Sequence, residues 1–168
     1  TDHEEVGSVS SSGAQGPFLK SVLERLAHYC GDETDLLSRI VAKSSLISID
    51  NAHGVHPNYL ERHDDKHRPV LNSGPVIKLN ANQRYASNSH SVALFKSICD
   101  TVKVPYQSFA MRSDMACGST IGPITSAETG INTIDVGVPT FAMHSVRELA
   151  GSKDAYNLYK VITSFYTR

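Results

Sequence analysis

Glu4 and Glu5 form a pair of adjacent carboxylates directly ahead of Val6-Gly7 and a run of small residues that ends at Gly16. Neighbouring side chains on an extended backbone diverge, so one carboxylate can coordinate a metal ion while the other faces a metal-activated water. Alone, such a pair is most often a solvated acidic loop, and the reading depends on its company. Asp50 closes the apolar run Ser45–Ile49. Ligands of open α/β sheets bind beyond the carboxyl ends of strands, although an Asp opening a turn with Asn51 is the plainer alternative. His53 and His56 follow at short spacing, as ligands, substrate contacts or ordinary loop residues. His63 and His67 stand among mixed charges, which favours a solvated loop over a metal cluster. His144 lies in the apolar patch Phe141–Ser145, where a histidine is ordinarily a hydrogen-bonded core residue. It becomes a ligand candidate if Glu5 and Asp50 converge on it. Ser12 and Ser119 lack the G-x-S-x-G pattern, and Cys117 has no assignable base, so serine and cysteine hydrolases have no support.

These residues need elements to position them. A helix is expected from Pro17 to Cys30, with Phe18, Val22, Leu23, Leu26 and Tyr29 on its apolar face and Gly31 ending it. A shorter helix spans Thr34–Val41, followed by the strand Ser45–Ile49 that delivers Asp50. Asn51–Ser73 is polar and without a period, a long ordered loop of the kind that usually carries function. Pro75–Leu79 and Tyr106–Met111 read as strands. Between them Asn88 caps a helix over Ser89–Val102, with Val92, Phe95, Ile98, Cys99 and Val102 inward. Gly118–Thr120 opens a helix that ends at Gly130, Ile131–Val136 is a strand, and Ser152 caps a last helix carrying Tyr156, Leu158, Tyr159, Ile162 and Phe165. Helices alternating with short apolar strands predict an α/β layered sheet with helices on both faces, in one unit spanning residues 1–168.

The bulk properties narrow the function classes. The chain is 40% hydrophobic and 20% charged with a net charge of −1, and has no basic patch that would suit nucleic acid or an anionic membrane. No apolar run reaches the length of a membrane span. Three widely spaced cysteines, with no CxxC pair, fit free thiols in a reducing compartment, here the cytoplasm.

Together, Asp2–Ser8, Asp50–Tyr59, Gly74–Lys78, Gln83–Ala86, Arg112–Asp114 with Cys117–Pro123, and Ala142–Glu148 resemble the aspartyl aminopeptidases, two-zinc exopeptidases. The blocks stand in the family's order and cover nearly the whole chain. The resemblance implies an α/β/α sandwich of the zinc-exopeptidase type and removal of amino-terminal Asp or Glu from peptides. It matches Glu4 to the general base, Glu5 and His144 to ligands of one zinc, and Asp50 to a ligand of the other. His53, Lys78 and Tyr85 match substrate contacts, while His56, His63 and His67 have no direct role at the metals. The positive charge of Lys78 suits an acidic side chain on the substrate. The amides opening the helix at Gly118–Thr120 are expected to help bind that carboxylate.

The family also uses a histidine ligand and a bridging aspartate ahead of the Glu-Glu motif, and an inserted domain that serves homo-oligomer assembly. Only three residues precede Glu4 here. The expectation is therefore a carboxyl-terminal segment of the catalytic domain, inactive alone, with apolar edges and faces left open. Two alternatives stand beside this reading: a related two-metal aminopeptidase of other specificity, and a non-catalytic assembly or binding segment.

Overall fold

The alternation along Asn132–Gly137 (β5) decides the layers. In a computed structural model describing all 168 residues, Ile134 and Val136 point to one face of the sheet, and Thr133 and Asp135 to the other, all buried. On the first face they meet Phe95, Ile98 and Cys99 of helix Ser89–Thr101 (α3) and Val161 of helix Asp154–Tyr166 (α5), forming the main core. On the second face lies helix Ile121–Thr129 (α4). Helices thus cover both faces, as the α/β sandwich reading requires.

The sheet is mixed. Ser45–Ile49 (β1) pairs parallel with β5, which pairs antiparallel with Val76–Leu79 (β3), which pairs parallel with Gln107–Ala110 (β4). The order is β1-β5-β3-β4, so β1 and β4 are the edges. A period of two along β3 sends Ile77 and Leu79 to the main core, and Val76 and Lys78 to the opposite face. Val76 there joins a second, smaller cluster with Ala52, Tyr85 and Phe109.

The polar stretch after Asp50 is more organised than a loop. Ala52–His53 (β2) pairs with Pro139–Phe141 (β6), which pairs with Leu149–Ala150 (β7), making a second small sheet. A 3-10 helix occupies Pro57–Arg62. The β1–β2 crossing passes so close to β5 that a Cβ on Gly137 would fall 1.8 Å from the Asp50 carbonyl oxygen, so only glycine fits.

Several expectations are corrected. Helix Phe18–Cys30 (α1) forms where its period places it, but its apolar face looks outward: Phe18 is 61% and Tyr29 90% exposed, Val22 and Leu26 are exposed, and only Ala27 is buried. Periodicity reveals that a face is apolar, not that this chain covers it. The second helix (α2) is Leu36–Lys43, displaced toward the carboxyl end. α4 begins at Ile121 with Thr120 as its N-cap, so Gly118 and Ser119 lie outside it. α5 has Lys153, not Ser152, at its N-cap position, and no side chain caps it. Asp154, in its first turn, instead accepts hydrogen bonds from the backbone N–H of Asn72 (2.6 Å) and Gly74 (3.0 Å). Tyr156 and Tyr159 face solvent, while Val161 takes the core position.

Candidate active site

Seven segments converge on one cavity of about 250 Å³, lined by Glu4, Glu5, Asp50, His53, Lys78, Tyr85 and His144 among others. Every site residue expected from the sequence is therefore brought together, from positions scattered along nearly the whole chain.

Glu4 and Glu5 do not lie on extended backbone. They open a turn closed by the Gly7 N–H donating to the Glu4 carbonyl (3.2 Å), with His3 and Ser8 in left-handed conformations on either side. The two carboxylates consequently stay close. Burial, and then the Glu5 charge beside it, hold the Glu4 carboxyl above its ordinary range. His144 sits in a turn where it and Ala142 both have positive φ, and its Nε2 lies 3.1 Å from Glu5 Oε1. The β6–β7 connection thus delivers an imidazole to the carboxylate supplied by the first turn.

Asp50 follows β1 directly. Its Oδ1 accepts from the Asn51 N–H (2.7 Å) and its Oδ2 from Lys78 Nζ (3.0 Å). The Lys78 side chain is only 3% exposed, and Nζ stands 5.6 Å from the centre of the Tyr85 ring. Ion pair and ring face together compensate for burying this ammonium. Burial first, and Cys117 next, push the Tyr85 hydroxyl well above its usual range, so it remains a neutral hydrogen-bonding group. His53 is open to the cavity on one side, yet its surroundings lower its pKa, through desolvation and then the neighbouring His63 and Lys78.

The other histidines stand apart from the cavity. His56 packs between Tyr59 and Phe141. His63 is buried behind Phe109, with its Nδ1 unpartnered, and His67 pairs with Asp64 at 2.6 Å. Gly118, Ser119 and Thr120, whose amides are expected to bind a substrate carboxylate, line the cavity, and the Thr120 hydroxyl donates to the buried Asp135 carboxylate at 2.7 Å. Sequence reasoning passed over Asn51, Phe109 and Met143, which line the cavity. Asn51 and Met143 lie within the quoted blocks, whereas Phe109 lies outside them, in the strand Tyr106–Met111.

Carboxylate and imidazole donors are of the kind zinc takes. Glu5 with His144 fits as a two-donor pair, and Asp50 faces the same cavity, but no three His, Cys, Asp or Glu side chains converge into a ligand set. The donors fit the metal as part of a set.

Residues 1–166 match the family described as aminopeptidase I zinc metalloprotease (M18). The chain belongs to this family. It is 60% identical over 166 residues to a probable M18 family aminopeptidase 2 of Pseudomonas aeruginosa, covering 99% of this chain and 38% of that protein. Among solved structures, the complex of Ape4 and Nbr1 contains a chain that superposes with a TM-score of 0.95 at 48% identity, over 98% of this chain and 31% of that one. The mApe1 dodecamer of S. cerevisiae matches with a TM-score of 0.84 at 30% identity, over 99% of this chain and 36% of that one. The chain therefore spans between 31% and 38% of the length of these relatives. The fold is that of the zinc exopeptidases, and no helix is long and apolar enough to cross a membrane.

Proposed function

We propose that this chain supplies one wall of the active site of an M18 aminopeptidase that removes amino-terminal Asp or Glu from peptides. The supporting observation is the convergence of Glu4, Glu5, Asp50, His53, Lys78, Tyr85 and His144 on a single cavity. Glu5, His144 and Asp50 are the metal ligands in this reading, within a two-zinc site whose remaining donors lie outside these residues. Zinc, when bound, supplies Lewis acidity for lowering the pKa of water and polarising a carbonyl.

The protein groups divide the remaining work. Glu4, with its raised pKa, is poised to accept a proton and return it to the departing amine. Lys78 is a buried point charge whose partner here is Asp50. A substrate carboxylate entering the cavity would give this ammonium a second counter-charge, which a neutral side chain cannot. Tyr85 and His53 supply neutral polar contacts beside it. A non-catalytic segment would have little use for this arrangement. The dodecamer among its relatives supports a homo-oligomer, and three unpaired cysteines suit the cytoplasm.

Hydrolysis of Asp-, Glu-, Leu- and Ala-p-nitroanilides by the full-length protein tests the reading. Acidic substrates should dominate, and Lys78→Met should raise KM for them by about tenfold or more while leaving the neutral ones nearly unchanged. A leucine-preferring profile would instead support the related aminopeptidase of other specificity. An unchanged acidic preference in K78M would remove Lys78 from recognition.

A further inference from the structure

Asp135 is the one charged residue of the largely buried strand β5, 1% exposed, and it does not line the cavity. Its two carboxylate oxygens hold two different segments. One accepts from the Ala86 N–H at 2.6 Å and the other from the Thr120 hydroxyl at 2.7 Å. Ala86 directly follows Tyr85, and Thr120 ends the Gly118–Thr120 wall; Tyr85 and all three wall residues face the cavity. The same strand grips the first segment a second time, through the Asp135 N–H donating to the Ser87 hydroxyl at 3.0 Å.

Farther up, the two segments are tied to each other. The Ser119 hydroxyl donates to the Arg84 carbonyl (3.1 Å), and Arg84 Nε donates to the Cys117 carbonyl (3.2 Å). The α4 backbone also closes over the carboxylate: a Cβ on Gly122 would fall 2.2 Å from both oxygens. A buried carboxylate needs such donors, and the donors have few other partners. Both cavity walls are thereby tied to β5 and to each other.

We infer that Asp135 is a positioning residue for the substrate pocket: it fixes the Tyr85 segment and the Gly118–Thr120 wall at one separation. The inference rests on the proposed reading of this cavity as the substrate site. It gives a role to a buried acidic residue that stands behind the cavity wall. Breaking one of its bonds should loosen the fit to substrate more than it slows the chemistry, because Glu4, Glu5 and His144 come from other segments.

The test uses the full-length enzyme and whichever aminoacyl substrate it cleaves best, so a failure of the acidic specificity is read separately, from the wild-type profile. Thr120→Val deletes the hydroxyl at nearly constant shape, and Thr120→Ser keeps it. T120V should raise KM by about fivefold, with kcat and bound zinc within about twofold, and T120S should return KM toward the wild-type value. Asp135→Asn should also be mild, since its amide can accept from Ala86 and donate to the Thr120 oxygen. Asp135→Ala, which can do neither, should exceed T120V. The inference is overturned if T120V lowers Tm with KM unchanged, if kcat or zinc content falls as far as KM rises, or if T120S behaves like T120V.

Discussion

Glu4 shows how a residue's task depends on its immediate surroundings. Beside Glu5 and partly buried, its carboxyl is held above the ordinary range, which suits a group that must take up a proton and release it. Glu4→Gln in the full-length enzyme should lower kcat by about 10²- to 10⁴-fold while KM and bound zinc stay near wild type. Loss of zinc along with kcat would make Glu4 a ligand instead. His63 presents the opposite case. Burial lowers its pKa below the unfolded value, so the native state binds fewer protons than the unfolded chain. Its neutral form is fully retained above about pH 6.5, and stability is lost as pH falls from there through the lower native value. His63→Gln should flatten the fall in denaturant midpoint between about pH 7 and pH 5; an unchanged slope would assign that fall to other groups.

At the scale of elements, local chemistry is most reliable where it is self-contained. Asn88 accepts from the His90 and Ser91 N–H groups, both at 3.0 Å, and Ser91 Oγ receives the Asn88 N–H at the same distance, completing a capping box for α3. This cap starts the helix that carries Phe95, Ile98 and Cys99 into the main core. Asn88→Ala should cost about 1 kcal/mol, measured by chemical denaturation, with zinc content unchanged. A cost near zero would mean that core packing alone sets the helix start. α5 begins differently: Lys153 at its N-cap position makes no side-chain cap, and the fully buried Asp154 in the first turn holds the Asn72–Gly74 backbone.

For the whole molecule, the consequential feature is what stays exposed. Phe18, Val22 and Leu26 of α1 lie on an open apolar face, and β1 is a sheet edge whose Ile49 is also exposed. Such surfaces favour association. A purified polypeptide of these residues should therefore self-associate at micromolar concentration in light scattering, and Leu26→Glu should reduce this measurably. A monodisperse monomer would show that the face is tolerated in water.

The sequence supplied the candidates for the site, and the fold brings them to one cavity. Glu4, Glu5, Asp50, His53, Lys78, Tyr85 and His144 could be named as candidates because each stands in a distinctive local block, while their shared cavity is a product of the fold. Most element positions were legible too, since capping, glycine and period are short-range signals, as at Asn88, Gly31 and β1. Tertiary structure decided matters that depend on distance through space. It turned the apolar face of α1 outward, organised the stretch after Asp50 into a second sheet, and set Asp135 against the Thr120 hydroxyl at the start of α4. A hydrogen-bond partner or a covering surface far along the chain leaves no periodicity for the sequence to display, so only the folded packing reveals that Asp135 joins two walls of the cavity.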